Sequence, residues 1–524
     1  MNDRNSHTSR RTIGGQSVSQ DSEMSGSNGP KTSMNSRRDC REKSDTKYIS
    51  YNTHVNRRVG YQEYNGSHGL PPIMAHSSHI RDMRFNMGYN SGQHYSMATN
   101  PYYGYPSRQP YYGFAAHTAY GSSQDPNCHN YSDPSPRSEK CKQTLTIDEI
   151  RRKVSTFRPF IKTNDSNSRT NGFKFSIMSY NILSQNLLNE HKYLYHHCEP
   201  THIEWPRRGH LIVNELLESD ADILCLQEVH SQHFRELIGP ELQKYGYNFV
   251  YEKRTGNLMD GCVIAYKENM FSLLKSTKLE LKRKDLSSLL DRDHIGLIVE
   301  LRPKSLKSKS KLFVANTHLL YNPKRGDVKI TQLRLLLAEL DRLALISANE
   351  NAFEYNPIIL CGDLNSEPQS LLPNFITTGA LNLKGYTVGD ISGQRNSYGK
   401  GNALENCNLE LSGITSDSRY ESSSSESSAE DGNTEKMSIK HNFKLRSIFS
   451  DVSNDERNPA DKWVSTSNRF ESSLVDYIFY DYKKLKLLGF NQLMTANQMK
   501  EIENIPNAYL GSDHLSLKAK FLMN

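Results

Sequence analysis

The sequence predicts an α/β or α+β fold built around buried sheets, and three observations lead to this class. Short apolar runs of strand length recur from Phe173 to the end of the chain. Segments whose apolar residues have helical spacing separate several of these runs. No internal repeat of about 20–50 residues is visible, which argues against a solenoid or a propeller.

The predicted elements begin with the run Phe173–Tyr180, in which apolar and polar residues alternate as in a strand. Pro206–Glu218 is predicted to be a helix, because it has proline in its first turn and leucines at packing positions. Gln332–Ala348 has the pattern of a leucine-rich amphipathic helix. Further strands are predicted at Asp222–Val229, Tyr247–Tyr251, Cys262–Tyr266, Ile295–Leu301, Leu312–His318, Pro357–Cys361, Val475–Tyr480 and Leu515–Phe521, and a further helix at His233–Lys244.

The first part of the chain differs in composition from the rest. Residues 1 to about 140 are rich in Ser, Asn, Gly, Tyr, Arg and His and contain few aliphatic clusters. We therefore predict a disordered low-complexity tail over residues 1–165 and a folded domain over 166–524, since so little apolar surface cannot offset the entropy lost on ordering. Tyrosine and glycine interleave over Tyr89–Tyr120. Composition favours an inert spacer there, and an RNA-contacting tail whose tyrosines stack on bases is the alternative.

A second compositional change interrupts the predicted domain. Residues from about 386 to 440 are rich in Ser, Glu, Asp, Gly and Asn, with Ser422–Ser428 at the centre. This composition predicts an acidic insertion that forms a mobile loop. A solvated loop is the simplest interpretation of its serines, and phosphorylation is the alternative.

Cysteine usage and hydropathy indicate the environment of the protein. The eight cysteines include no C-x-x-C pair, which argues against a zinc site of ordinary spacing. Cys225, Cys262 and Cys361 lie in apolar runs, where a buried free thiol is the expected state. We expect a reducing compartment, the cytoplasm and also the nucleus, and no membrane association. The net charge of +7 is compatible with a polyanionic partner but does not require one.

Polar side chains occur where several predicted strands end. A side chain that leaves a buried strand is held rigidly and points beyond the sheet edge. Each one taken singly has a plain alternative as a cap or turn residue. Together they offer oxygen ligands that suit Mg²⁺ or Mn²⁺, and imidazoles that suit proton transfer at a phosphate. The positions are Asn181, Glu228, His318, Asp363, Asn365, Asp476, Asp513 and His514.

The same positions carry a family resemblance. The motifs that contain them, taken in order, resemble those of the endonuclease/exonuclease/phosphatase superfamily over about residues 172 to 522, apart from the insertion. The resemblance implies a four-layer α/β/β/α sandwich of the DNase I-like type, with the site at one edge of the paired sheets. The motifs are Leu226–Val229, Asn316–Leu319, Gly362–Asn365, Val475–Ile478 and Ser512–His514.

The resemblance implies a metal site and places a divalent cation, Mg²⁺ or alternatively Mn²⁺, in it. By motif position, Glu228 ligates the ion, and Asn181 and Asp513 lie nearby or reach it through water. Such an ion, a positioned water and donors aimed at the developing charge are what phosphoester hydrolysis requires.

The resemblance also implies catalytic roles for five residues. Asp363 orients and deprotonates the attacking water, and Asn365 holds that water or the phosphate. Asp476 fixes the imidazole of His514, which stabilises the pentavalent state of phosphorus. His318 donates a hydrogen bond to a non-bridging phosphate oxygen.

Longer matches resemble one branch, the CCR4, nocturnin and Angel group, and within it the Angel proteins. The segments Tyr193–Cys198 and Asp291–Leu297 resemble Angel sequences most. The leucine-rich repeats of CCR4-type deadenylases have no counterpart here. Their adenine-holding segment, of the type Asn-x-Thr-Phe-Asp-Phe, is replaced by Thr466–Glu471, so the resemblance does not extend to an adenine clamp.

Three functional hypotheses follow. The leading one is a phosphatase of 2′,3′-cyclic phosphates at RNA ends, as the Angel resemblance implies. The second is a 3′→5′ exoribonuclease or poly(A) deadenylase of CCR4 type. The third is a binding protein of messenger-RNA or translation complexes that recruits partner proteins through its N-terminal tail. For substrate contact we predict Asn322 and Arg292, with ordinary solvated charge as the alternative for Arg292.

Overall fold

Two mixed sheets form the centre of the molecule. The computed structural model describes residues 145–163, 171–305, 310–349, 352–421, 437–450 and 462–524. The strands in chain order are β1 (Phe160–Lys162), β2 (Phe173–Asn181), β3 (Ile223–His230), β4 (Tyr247–Lys253), β5 (Asp260–Lys267), β6 (Phe271–Glu280), β7 (Ile295–Pro303), β8 (Leu312–His318), β9 (Leu345–Asn349), β10 (Ala352–Tyr355), β11 (Ile358–Asp363), β12 (Ala380–Asn382), β13 (Ser438–Lys440), β14 (Leu445–Ser447), β15 (Trp463–Val464), β16 (Thr466–Ser467), β17 (Ser472–Ser473), β18 (Asp476–Asp481), β19 (Leu485–Asn491), β20 (Met494–Thr495) and β21 (Leu517–Met523).

The strand order places both ends of the folded chain in one sheet. The first sheet has seven strands in the order β1-β19-β21-β2-β3-β5-β4, and the second has six in the order β14-β18-β11-β8-β7-β6. Within these two sheets, β2 pairs parallel with β3 and β8 pairs parallel with β11, while the other neighbours pair antiparallel. Each sheet therefore has one place where two parallel strands end side by side, and polar residues at those ends can meet.

Helices cover the outer faces of the sheets. The helix predicted at Pro206–Glu218 is confirmed as Trp205–Ser219, with Pro206 in its first turn. The helix predicted from Gln332 begins six residues earlier, at Gly326, and ends at Ala344 because the chain continues as a strand.

None of the described helices combines the length and apolar composition that a membrane span requires. The helices are α1 (Ile147–Phe157), α2 (Gln185–Glu190), α3 (Trp205–Ser219), α4 (Ser231–His233), α5 (Gly239–Lys244), α6 (Gly326–Ala344), α7 (Leu371–Thr378), α8 (Val388–Ser392) and α9 (Ala496–Glu501), with 3-10 turns at Lys192–Tyr195, Pro200–His202 and Leu404–Asn406 and a π segment at Phe234–Ile238 between α4 and α5.

The inner faces of the two sheets pack against each other. Ile177 of β2 and Cys225 of β3 belong to the same buried core as Val314 of β8 and Cys361 of β11. Alternate residues of a strand point to opposite faces, so these positions leave their neighbours free to pack outward. The core between the sheets is therefore built from every second residue of the central strands.

The outward-facing residues pack against helices. Met178 of β2 and Leu224 of β3 join Leu216 of α3 in one apolar cluster. Leu360 of β11 joins Leu336 of α6 in another. Each such fully buried side chain contributes roughly 1.5–3 kcal/mol of transfer free energy. The helix, sheet, sheet and helix layers confirm the predicted four-layer sandwich.

The predicted boundary between tail and domain is wrong over residues 145–163. Helix α1 lies inside the segment predicted as tail, and Thr146 and Glu149 form a capping box at its start. Ile150 and Val154 on one face of α1 are buried in the core between the sheets, and β1 pairs with β19. Two well-spaced apolar residues and a cap suffice to order this stretch, although its average composition resembles the tail. Residues 1–144 lie outside the described part of the chain.

Part of the predicted acidic loop is an ordered layer on the second sheet. Leu404 and Leu411 are buried in the cluster that α6 forms with that sheet, and Arg334 of α6 donates to the carbonyl oxygen of Leu409 at 2.7 Å. The prediction of a loop is therefore wrong over residues 386–421. A few leucines among many polar residues pack against α6 here. The average composition of the segment does not reveal them. The central Ser422–Ser428 lies outside the described residues.

Candidate active site

The ends of parallel strands in both sheets meet at one edge of the sandwich. In the second sheet, Asp363 at the end of β11 is paired with His318 at the end of β8 and with Asp476 at the start of β18. In the first sheet, Asn181 at the end of β2 lies beside β3, which carries Glu228. Asn181 Nδ2 donates to Oε1 of Glu228 at 3.0 Å and to Oδ2 of Asp363 at 3.1 Å. One amide therefore joins the polar groups of the two sheets.

An irregularity in the pairing of β3 with β5 sets the direction of the Glu228 side chain. The register between β3 and β5 shifts between Leu226 and Val229, and Glu228 has φ of +56°. Bulges re-aim side chains in this way, and the left-handed conformation costs a residue with a Cβ roughly 1–2 kcal/mol. The Ser184 N–H donates to Oε2 of Glu228 at 3.0 Å. Both carboxylate oxygens are thus held in place.

Gly362 allows β11 to lie close against β8. A Cβ at this position would be 2.1 Å from the carbonyl oxygen of Thr317, and φ is +152°. Backbone atoms cannot move aside as a flexible side chain can, so only glycine fits here. The glycine of this motif serves strand packing, and the aspartate that follows it reaches the site.

Asp363 is buried with both oxygens held by donors. It is 2% exposed, and the Asn365 N–H donates to its Oδ1 at 2.8 Å. Burial, and then the negative charge of Asp476, raises the pKa of Asp363 to about 7, while the charge of His514 opposes the rise. A carboxyl group whose pKa lies near neutrality is suited to take a proton from water.

His514 is the imidazole that carries a positive charge. Its Nδ1 is 2.8 Å from Oδ2 of Asp476, which also accepts a hydrogen bond from Ser465 Oγ at 2.6 Å. Burial lowers the pKa of His514, but the charges of Asp476, Asp513 and Asp363 outweigh it and raise the pKa well above its ordinary value. The Nε2–H then faces Oδ2 of Asp363 and Oδ1 of Asp513, each at 3.9 Å.

His318 is neutral in the same site. Burial, and then the charge of Arg254, lowers its pKa to about 3. Asn365 Nδ2 donates to His318 Nε2 at 2.9 Å, which assigns the proton to Nδ1, 3.8 Å from Oε1 of Glu228. We predicted that His318 donates to a phosphate oxygen. In this arrangement only its Nδ1–H can do so, because Nε2 accepts from Asn365.

The acidic oxygens of the site fit a divalent cation. The buried side-chain atoms without a hydrogen-bond partner, among the residues that the structure describes, include Oδ1 of Asp476 and Oδ1 of Asp513. Buried carboxylate oxygens without partners are costly, and a cation removes that cost. Ligand atoms of Asp363, Asp476 and His514 lie within 4.8 Å of one another. Both oxygens of Glu228 accept hydrogen bonds, and Asp476 already bonds to His514 through Oδ2, so the oxygens without a donor among the described carboxylates of the site are Oδ1 of Asp476 and Oδ1 of Asp513. Glu228 and Asp513 as metal ligands stay predictions.

Asn181 lies beside two of the acidic groups of the predicted metal site. Its Oδ1 accepts the N–H of Leu183 at 3.1 Å, and its Nδ2 donates to the carboxylates of Glu228 and Asp363. With oxygen and nitrogen both engaged, Asn181 orients these two carboxylates, and its place near a metal ion stays a prediction.

Two buried residues that the sequence did not single out support the first-sheet side of the site. Tyr195 Oη donates to Oδ2 of Asp513 at 2.7 Å. The guanidinium of Arg208 donates to the carbonyl oxygens of Leu183 at 2.6 Å and Gly511 at 2.7 Å. Arg208 therefore ties the segment after β2 to the segment before β21. Tyr195 lies in the matched segment Tyr193–Cys198, which was the only signal for it.

Lys329 of α6 supports the second-sheet side and was also missed. It is fully buried, and its Nζ donates to the carbonyl oxygens of Asn365 at 2.7 Å and Ser392 at 3.0 Å. Burial lowers its pKa to about 7, while the charge of Asp363 opposes this. Asn365 has φ of +50°, so a fixed donor at its carbonyl holds a conformation that the chain rarely adopts.

The two predicted substrate contacts do not bond to the catalytic groups. Asn322 is exposed, and its Oδ1 accepts the N–H of Lys324 at 2.9 Å. Arg292 is half exposed, with Nε 3.3 Å from Oδ1 of Asp291. Both stay predictions.

Arg254, which was not predicted, lies beside two of the predicted site residues. It forms an ion pair with Asp260, and the two line a small cavity together with Glu228 and His318. Its place at the end of β4, outside the matched motifs, explains why the sequence did not indicate it.

Known proteins share this arrangement of strands and motifs. Residues 178–514 match the family model described as Endonuclease/Exonuclease/phosphatase family. Protein angel homolog 2 of Homo sapiens is 38% identical over 386 residues, 67% of this chain and 70% of that protein. Carbon catabolite repressor protein 4 homolog 5 of Arabidopsis thaliana is 31% identical over 355 residues, 66% of this chain and 76% of that protein.

A solved structure agrees with the family match. The crystal structure of ANGEL2, a 2′,3′-cyclic phosphatase, in complex with adenosine-2′,3′-vanadate, is similar to this chain with a TM-score of 0.61 and 39% identity. The similarity covers 70% of this chain and 98% of that one. This chain therefore belongs to the Angel proteins of the endonuclease/exonuclease/phosphatase family.

Proposed function

We propose that this chain hydrolyses 2′,3′-cyclic phosphates at RNA ends with the help of Mg²⁺. The observation that carries the proposal is Asp363, a buried carboxyl group with a pKa of about 7, beside a protonated His514. Water activation and charge stabilisation are the two things that phosphoester hydrolysis requires. The similarity to ANGEL2, described as a 2′,3′-cyclic phosphatase, supports the choice of bond.

Asp363 acts as the base. Water attacks the phosphorus of the cyclic diester, a new P–O bond forms, and one of the two bonds from phosphorus to the ribose oxygens breaks. The attacking water gives its proton to Asp363, whose burial makes it basic enough at neutral pH, and the ribose oxygen that leaves takes up a proton from solvent. A second water then attacks the resulting monoester, the remaining bond from phosphorus to the ribose oxygen breaks, that oxygen is protonated in turn, and inorganic phosphate leaves.

Two donors stabilise the phosphate in this scheme. The Nε2–H of His514 is aimed beside Asp363, where negative charge develops on the phosphate oxygens. The Nδ1–H of His318 points to the Glu228 side of the site. Asn365 holds His318 in the orientation that leaves this proton outward. A charged and a neutral donor therefore flank the base.

The acidic side chains of the first sheet provide the place for a divalent cation. Glu228 and Asp513 would hold the ion, and Asn181 keeps Glu228 in position. Carboxylate oxygens suit Mg²⁺, which keeps several of its own waters. When bound, the ion supplies positive charge that stabilises the phosphate oxygens.

An exoribonuclease or deadenylase is the second candidate, because the same groups can cleave the bond between two nucleotides. The similarity to Carbon catabolite repressor protein 4 homolog 5 is the observation that favours it. Product length separates the two candidates. A phosphatase leaves the chain length unchanged, whereas an exonuclease shortens the chain progressively.

The experiment uses a synthetic oligoribonucleotide with a 2′,3′-cyclic phosphate end, the full chain, Mg²⁺ and mass-resolved products. We expect loss of the terminal phosphate with chain length unchanged, and no reaction in excess chelator. Asp363→Asn and Glu228→Ala should each abolish turnover, because they remove the base and a ligand. The matched control is Asp148→Asn, on the exposed first turn of α1.

Any of three results would overturn the proposal. Shortened products would favour the exonuclease. Full activity of both site variants would show that the site is elsewhere. A folded protein with no turnover on any RNA end would favour the binding-protein hypothesis.

A further inference from the structure

A short hairpin is bonded to the segment just before β21, which carries the site residues Asp513 and His514. Strands β16 and β17 pair antiparallel and enclose a turn of four residues. The Ser467 N–H and the Thr466 Oγ1–H donate to the carbonyl oxygen of Asp513 at 3.0 and 2.8 Å, and Thr466 forms a β-bridge with His514. The position of the hairpin is therefore set by the active site itself.

The tip of this hairpin presents an aromatic ring to solvent. Asn468 closes the turn, since its Oδ1 accepts the N–H groups of Phe470 at 2.9 Å and Glu471 at 3.1 Å. Phe470 is 68% exposed, and the guanidinium carbon of Arg469 lies 5.7 Å from its ring centre. These two hydrogen bonds fix the turn, and the ring at its tip is largely exposed.

A second exposed ring lies beside the first. Tyr193 is 53% exposed, and its ring centre is 6.5 Å from that of Phe470. Its segment is joined to the hairpin by the Arg469 N–H, which donates to the carbonyl oxygen of Leu194 at 3.1 Å. The same segment reaches the site through Tyr195. Two segments far apart in sequence thus meet at the site, and each contributes an exposed aromatic side chain.

A third ring comes from the loop that follows the other histidine. Tyr321, three residues after His318, is 63% exposed, and its carbonyl oxygen accepts from Gln394 Nε2 at 2.6 Å. It lies near enough to Tyr193 and Glu471 to interact with them electrostatically. Single exposed aromatics are ordinary on protein surfaces, but three beside one site, on segments fixed by hydrogen bonds, form a defined surface.

Positively charged side chains line a cavity that Phe470 also borders. Arg395, Lys462 and Arg469 line a cavity of about 500 Å³ together with Phe470. Glu367 and Glu471 are also in its wall, so the lining has both signs. Aromatic faces next to cationic side chains are the combination that binds single-stranded nucleic acid, in which bases stack and phosphates pair with cations.

We propose that Tyr193, Tyr321 and Phe470 form a stacking surface for the unpaired 3′-terminal bases of RNA, so that the protein selects single-stranded ends. Bases in a duplex are already stacked on each other and cannot reach these rings. Stacking does not depend on base identity, since every base has an aromatic face. The inference rests on the proposed function for the reaction, but the binding surface can be tested without turnover.

The binding test uses a fluorescent single-stranded oligoribonucleotide with an ordinary 3′-hydroxyl end and the full chain, followed by anisotropy. Tyr193→Ala and Phe470→Ala should each weaken binding about 5- to 100-fold, the range expected for loss of one stacked base. Phe470→Trp should retain binding, because the ring is kept. Tyr245→Ala, at a 61% exposed tyrosine that follows α5, is the matched control and should change nothing.

Two further RNAs decide the interpretation. An oligonucleotide whose terminal bases are paired in a blunt duplex should bind weakly to the parent protein and be insensitive to the substitutions. An oligonucleotide with abasic terminal nucleotides should behave in the same way. Equal weakening on abasic and normal RNA would overturn the proposal, as would unchanged binding of both alanine variants. Absence of cyclic-phosphate turnover, with base-dependent binding intact, would reject the proposed function and leave this surface in place.

Discussion

His318 and His514 occupy the same site, and burial lowers the pKa of both, yet one ring is neutral and the other is positively charged. His514 bonds to the carboxylate of Asp476, and the surrounding negative charges raise its pKa well above the ordinary value. His318 bonds to the neutral amide of Asn365, and after burial the charge of Arg254 lowers its pKa further, to about 3. The partner of each ring, more than its depth, decides whether it is charged.

The two histidine regions are also supported from different parts of the fold. Asp513, beside His514, is held by Tyr195 from the rim of the first sheet. Asn365, the partner of His318, is held by Lys329 from the helix on the second sheet. The comparison suggests that the His514 region stabilises developing charge and that the His318 region mainly fixes geometry. Substitutions on the two sides should therefore have effects of different size.

The largest difference is expected between the two histidines themselves. His514→Ala should lower kcat by roughly 100- to 1,000-fold, because it removes a charged donor aimed at the phosphate. His318→Ala should lower kcat by about 10-fold, because it removes a neutral one. Steady-state kinetics on the cyclic-phosphate oligonucleotide measures both. A larger loss for His318→Ala would reverse the assignment of roles.

A second substitution tests why His514 is charged. The carboxylate of Asp476 raises the pKa of His514, so the protonated form persists as pH rises. Asp476→Asn removes that charge, lowers the pKa, and should move the alkaline fall of kcat to lower pH, with a loss of roughly 10- to 100-fold at pH 8. Asp481→Asn, at the other end of β18, is the control and should leave the pH profile in place. An unshifted profile for Asp476→Asn would contradict this account.

The next effect belongs to the His318 region. Lys329→Met leaves the carbonyl groups of Asn365 and Ser392 without their donor, which should lower kcat by about 10-fold and the free energy of unfolding by about 1–3 kcal/mol. Lys329→Arg should recover part of kcat if a donor at this place is what matters. Kinetics and urea unfolding give the two readouts, with the exposed Lys174→Met as control. A loss of stability with kcat unchanged would make Lys329 structural only.

The smallest effect is expected at Tyr195. Tyr195→Phe removes one hydrogen bond to Asp513 and nothing else, since the ring is kept. The Mg²⁺ concentration for half-maximal activity should rise about 3- to 10-fold, because a less fixed carboxylate binds the ion less well. Tyr247→Phe removes a buried hydroxyl whose partner is the Ala221 carbonyl oxygen, and it should leave the Mg²⁺ requirement unchanged. The same Mg²⁺ requirement in Tyr195→Phe and the parent would remove Asp513 from the metal site.

The sequence indicated the polar residues at the strand ends but not the buried residues that support them. Asp363, His318 and Asp476 follow or begin apolar strand runs, a local pattern that one sequence reveals. Lys329 and Arg208 are charged residues on helices, and nothing in the local sequence shows that their side chains are buried. Their roles depend on carbonyl oxygens more than twenty residues away, which no period or motif records.

Composition misled in two places for a common reason. Helix α1 lies in a polar stretch, and the docked segment around Leu404 lies in an acidic one. In each case a few apolar residues at suitable spacing pack against an apolar surface of the folded domain. A prediction from average composition cannot include that surface, because distant parts of the chain build it.

By itself the sequence determined the mixed α and β class, the family resemblance and the chemical types at the strand ends, since these depend on local order along the chain. Only the tertiary structure decided that Asn181 bonds to groups of both sheets, that one histidine is neutral and the other charged, and that exposed aromatic rings from separate segments lie beside the site. The physical reason is that charge state and orientation depend on what a side chain faces, and the facing groups come from remote segments.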